Sequence, residues 1–207
     1  MKKFIYTLLI IISATCLKAQ SYDSYFSASY KLSVPMAQFS DQLSSVSYRG
    51  GEFNLQFINE QNLSFGFNVT WTGFYDESAR STQQFENTNY GAAVTAGKFD
   101  FAYFTDVQVN TRYYIVSPKI FKPFIGARIG TTYTETAKIV GVYSVTSTDW
   151  VFGYNAEVGT LIQIPNRSWG FELSANYNQA LTKNEFYNNA QYIGFNMGVY
   201  FSPHFDL

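Results

Sequence analysis

The stretch Trp169-Gly170-Phe171-Glu172-Leu173-Ser174-Ala175-Asn176-Tyr177-Asn178 alternates apolar and polar residues at every step. Successive side chains of an extended strand point to opposite faces, so this segment has one greasy face and one polar face. A helix would instead repeat its apolar positions about every 3.6 residues.

Working outward from it, seven more segments carry the same signature. The first runs from about Tyr22 to Val34, with Tyr22, Phe26, Ala28, Tyr30, Leu32 and Val34 facing Asp23, Ser27, Ser29 and Lys31. Pro35 cannot donate to a ladder and is expected to end it. Gly51 to Ile58 and Leu63 to Trp71 form a hairpin about the turn Asn59-Glu60-Gln61-Asn62. Phe99 to Ile115 holds its phase throughout, and further strands start near Ile125, Trp150 and Ile193. The connections alternate. Short turns fall at 59–62, 117–122 and 165–168, and long polar loops at about 35–49, 76–98, 135–149 and 179–190. This predicts an all-β fold, an eight-stranded antiparallel up-and-down transmembrane β-barrel with short turns periplasmic and long loops extracellular. The strand from Phe99 is longer than a ~25 Å apolar band requires, so the hairpin around the second loop is expected to project beyond the membrane.

Alternation alone fits a soluble barrel equally well; the contents of the polar face separate the two. A water-facing surface carries roughly a quarter or more charged residues. Here the polar positions are mainly Gly, Asn, Ser, Thr and Gln, and the whole chain is only 14% charged while 19% is aromatic. Small residues suit a narrow lumen filled by side chains. Trp71 and Trp150 lie beside long loops and Trp169 beside a short turn, all on the apolar face. They form a membrane-interface girdle at both rims, to which Phe121, Phe124 and Tyr75 are expected to add.

By phase, Lys31, Glu52, Arg112, Arg128, Glu157 and Glu172 point into the lumen. Buried charges are costly unless paired, so we expect a neutralising network in which Arg112 and Arg128 meet Glu157 and Glu172 and plug the barrel. Asp76, Glu77 and Glu135 read as solvated loop acids.

Lys2 and Lys3 followed by the apolar run from Phe4 to Ala14 read as a secretory signal, too short to span a bilayer, with cleavage expected after Ala19. The barrel domain is then 20–207. Removing residues 1–19 takes Lys2, Lys3 and Lys18 and turns a formal charge of −1 into −4. No basic patch suited to nucleic acid is present. The one cysteine, Cys16, lies in the signal, so the mature chain has no thiol chemistry. The one histidine is His204 in the C-terminal tail. With no nucleophile elbow, phosphate loop or metal spacing, no enzyme activity, cofactor or metal is expected.

The segment from Tyr113 to Tyr133, containing Lys119-Ile120-Phe121-Lys122-Pro123-Phe124-Ile125-Gly126-Ala127-Arg128-Ile129-Gly130, resembles the eight-stranded outer-membrane β-barrels of Bacteroidetes-type bacteria, related in shape to OmpA, OmpX and PorT-like barrels. The resemblance implies a Gram-negative outer membrane, its lipid, and the barrel assembly machinery as partners. Such barrels end on an aromatic assembly signal, here Phe201 or Phe205. The expected role is envelope structure or loop-mediated binding and adhesion to a partner the sequence does not name. The alternatives are a small-solute porin-like channel and a PorT-like accessory of a secretion or assembly machine.

Overall fold

The computed structural model describes residues 23–59, 62–84, 93–115, 120–141, 143–183 and 187–203. The signal segment 1–19, Cys16, His204 and Phe205 lie outside them. Eight strands, β1 (Asp23–Met36), β2 (Arg49–Ile58), β3 (Leu63–Gln84), β4 (Ala93–Tyr114), β5 (Phe121–Val140), β6 (Tyr143–Gln163), β7 (Trp169–Lys183) and β8 (Asn188–Phe201), close into one barrel in chain order. Every neighbouring pair is antiparallel, and β8 returns to β1.

The register fixes the barrel's shape. The row of partners Phe26, Leu55, Phe67, Val109, Ile129, Tyr154, Gln179 and Gln191 leaves β1 at Phe26 and re-enters it at Met36, ten residues further on. A closed eight-stranded sheet with that stagger tilts its strands about 40° and encloses a core just wide enough for side chains.

Burial follows the alternation. Phe53, Phe67, Ile129, Val158 and Phe195 are exposed on the outside, whereas Asn54, Asn68, Arg128, Glu157 and Asn196 are buried inside. Short turns need a left-handed residue, and Asn62 and Asn166, each at φ 59°, supply it.

The strands outrun the expected loops at the extracellular end. Pro35 does not end β1; it pairs with Tyr192, and β1 continues to Met36. Its missing N–H is tolerated because the ladder to β2 stops at Tyr30↔Gly51, leaving Pro35 on an open edge. The second loop shrinks because β3 reaches Gln84 and β4 starts at Ala93. Glu135 to Asp149 is not a loop: β5 runs to Val140 and β6 resumes at Tyr143 around Gly141 at φ 61°. Thr134, Thr136, Ile139, Val140, Tyr143 and Val145 are β-branched or aromatic residues that suit a ladder despite their polar interruptions. β7 and β8 likewise extend to Lys183 and Asn188 through an irregularity after Ala180. At the other end, β5 begins at Phe121, inside the expected turn 117–122.

Candidate functional site

The sequence places charges on the inward face of six strands, and the barrel is narrow enough to bring them into one file. Arg112 Nη2 lies 2.9 Å from Glu172 Oε1, and its Nε donates to Glu157 Oε1 at 2.6 Å. Arg128 bonds the other oxygen of Glu157 and forks onto Glu52, with Nη1 2.8 Å from Oε2 and Nη2 2.8 Å from Oε1. The signs alternate along the axis, from Glu172 through Arg112, Glu157 and Arg128 to Glu52. All five side chains are fully buried. Such a file is tolerated in a water-poor interior only because each charge has an opposite neighbour.

Glu52, expected in the lumen without a named partner, neutralises Arg128 together with Glu157. Lys31 is buried in the same lumen but forms no ion pair among the described residues. Its Nζ donates to Asn178 Oδ1 at 3.3 Å and sits 5.3 Å from the centre of the Tyr192 ring. A fourth buried acid, Asp106, was passed over in the sequence although it occupies the polar phase beside Val107. It accepts from Thr132 Oγ1 at 2.5 Å and from the Tyr192 hydroxyl at 3.4 Å.

Aromatic clusters stop the lumen above and below this file. The periplasmic one contains Tyr25, Ile58, Tyr114, Phe124, Leu161 and Tyr200. Phe124 therefore belongs inside rather than to the outer belt: it is wholly buried, with the Arg112 guanidinium 4.4 Å over its ring. The Tyr25 hydroxyl accepts from Arg112 Nη1 at 2.7 Å, joining cap to charges.

The extracellular cap is built around a residue the sequence did not mark. After Met36 the chain makes one helical turn, α1 (Ala37–Ser40), which drops Phe39 into the mouth. Phe39 is fully buried, edge-on to Phe74 at 5.1 Å and to Tyr187 at 5.0 Å. Leu43, Ala102, Phe104, Ala180, Ala190 and Tyr192 complete the cluster. The one available signal was Phe39 and Leu43 four apart in an otherwise polar segment, the spacing that faces two side chains the same way on a helix.

The loop carrying Phe39 is tied to β3. Ser44 N and Oγ both donate to Asp76 Oδ2 at 2.9 Å, and Ser47 Oγ donates to the Gly73 carbonyl at 2.5 Å. Asp76 is thus a tether rather than a solvated loop acid. Partial burial pushes its carboxyl up, but the bonds from Ser44 and Ser45 outweigh that and hold it below the ordinary value of 3.8.

Above the mouth, β3 to β6 continue as a four-stranded sheet. β2 ends at Arg49↔Gly73 and the β6–β7 ladder starts only at Gly153↔Ala180. Among the described residues, Ser144 to Phe152 of β6 pair with β5 alone, in unbroken register. On the barrel wall, Trp71, Trp150 and Trp169 are 45%, 66% and 41% exposed on the outward face, Phe121 joins them, and Tyr75 stacks on the outward Phe99. Phe201 closes β8 against Phe26.

A closed, eight-stranded, antiparallel barrel with an apolar outside and a polar inside is the fold of outer-membrane β-barrel proteins. No protein-family model matches the chain, and no curated protein matches it. Among solved structures it is similar to Neisserial surface protein A (14% identity over 88% of this chain and 99% of that one, TM-score 0.58). It is likewise similar to Ail, the attachment invasion locus protein of Yersinia pestis (11% identity, 88% and 99% covered, TM-score 0.52). At these identities the likeness is one of fold.

Proposed function

We propose that this protein is a non-conducting, non-enzymatic outer-membrane barrel that serves as a rigid mount for an extracellular binding sheet. The observation that carries this reading is the open edge of β6 from Ser144 to Phe152, held above a lumen packed from cap to cap. An unpaired strand edge offers a row of backbone N–H and C=O groups to an extended segment of another protein. Edges are normally guarded by lysine, proline or a bulge, yet Ser144-Val145-Thr146-Ser147-Thr148 has none of them. The main chain would supply affinity, and the exposed side chains of Val145 and Thr146 specificity.

The same reading places the chain in the outer membrane of a Gram-negative bacterium of Bacteroidetes type, with the signal removed near Ala19. Attachment, the word in the name of Ail, is one use of such an edge. Two measurements test it. In planar bilayers the purified barrel is expected to show no channel openings; resolved, reproducible openings would return the lumen to the porin-like reading. Surface capture of extended peptides by cells displaying the protein is expected, and is expected to vanish in Ser144→Lys/Thr146→Lys, which guards the edge without touching the barrel.

A further inference from the structure

The outer wall holds a cradle at the β1–β2–β3 face. Outward positions of a lipid-facing barrel are ordinarily bulky, but β2 carries Gly51 there, directly opposite Tyr30 on one side and Trp71 on the other. Phe53 fills the next outward position below it. The result is a groove of about 550 Å³ floored by Gly51 and walled by the exposed rings of Tyr30 and Trp71. A Cβ on Gly51 would meet nothing nearer than the Ser29 carbonyl at 3.8 Å, so the floor is open by choice of residue rather than by crowding.

Arg49 stands at the top of the groove, one outward position above Gly51. Its side chain is exposed, and it forms no ion pair among the described residues. Its guanidinium lies 5.9 Å from the centre of the Tyr75 ring. Because the register climbs ten residues per circuit, the position level with Trp150 of β6 falls about four residues beyond its row partner Trp71, at Tyr75. Arg49 is therefore set at the outer girdle, where acyl chains give way to headgroups.

We infer that this cradle is a binding site for a phosphate-bearing lipid of the outward-facing leaflet. Arg49 would take the phosphate, Tyr30 and Trp71 would flank the headgroup, and an acyl chain would descend over Gly51 and Phe53. A guanidinium matches phosphate oxygens in a planar fork, and packing on Tyr75 restricts its motion before the lipid arrives. Continuity with the apolar belt favours a membrane lipid over a soluble ligand. The inference rests on the outer-membrane reading proposed above.

Trp71 reports on its own groove. The full mature chain carrying Trp150→Phe and Trp169→Phe is refolded into phosphatidylcholine vesicles containing brominated phosphatidic acid as a minor component, and in parallel with brominated phosphatidylcholine at the same fraction. The expected result is local enrichment of phosphatidic acid at Trp71 by about fivefold, seen as stronger quenching and weakened by salt. Arg49→Gln is expected to abolish the preference and Arg49→Lys to keep part of it. Gly51→Leu should also abolish it by filling the floor; where that variant fails to fold, Arg49→Gln decides. Equal quenching by the two lipids, or a preference that survives Arg49→Gln, overturns the site while leaving the membrane reading intact. Absence of quenching by either lipid overturns the membrane reading itself.

Discussion

The file of charges and the extracellular cap close the same lumen by opposite means. The charges belong to strands: Arg112, Arg128, Glu52, Glu157 and Glu172 come from five different strands, and each pairs across the lumen. Removing one strands its partners in a medium that cannot hydrate them. Phe39, by contrast, is delivered by a loop and held by packing and by the bonds of Ser44 and Ser47 to β3. One closure is inseparable from the fold; the other is an attachment, expected to open without unfolding the barrel.

That contrast is broken most severely at Arg128. Arg128→Ala leaves Glu52 and Glu157 partly uncompensated and is expected to cost about 3–5 kcal/mol. The check is the urea midpoint of the refolded barrel, read by its heat-modifiable gel migration; an unchanged midpoint would mean the file is ornamental.

Phe39→Ala comes next. It empties the centre of the cap, a loss of about 3 kcal/mol for a buried phenylalanine, but a local one. The expected outcome is faster proteolysis within 37–48 and an unchanged urea midpoint. A shift in that midpoint as large as that of Arg128→Ala would erase the distinction between attachment and frame.

Lowering the pH gives a smaller effect on the same loop. Asp76 has a carboxyl held below 3.8 in the fold, so its tether is at full strength above the ordinary carboxylate range and is lost as pH falls through the folded value. Hydrogen exchange in residues 43–48 is expected to rise on acidification below that range, and Asp76→Asn to remove most of the pH dependence. The smallest effect on stability, none measurable, is expected for Ser144→Lys/Thr146→Lys, whose consequence is confined to peptide capture.

The open edge of β6 has a counterpart in β3, and the two are treated differently. Past Gly73, β3 is covered by the returning loop through Asp76 and distorted by a register shift between Ser78 and Ser81. Among the described residues β6 stays regular and bare. Both are legible only in three dimensions, since coverage depends on where β2 and β7 stop.

Strand number, pairing order, inside and outside were readable in the chain, because a period of two assigns every residue to a face and alternating connections dictate antiparallel neighbours. The lumen position of Lys31, Glu52, Arg112, Arg128, Glu157 and Glu172 followed from phase alone. Apart from β4, whose alternation from Phe99 announced a strand longer than the membrane, strand ends were not readable at the extracellular side, where polar residues interrupt the apolar stripe. Which acid met which arginine also depended on register: Glu52 reaches Arg128 only because the barrel closes with a stagger of ten residues. Phase chooses the face, a property of one strand; the partner across the lumen, the cap that Phe39 makes and the cradle beneath Arg49 are properties of closure, which no single strand contains.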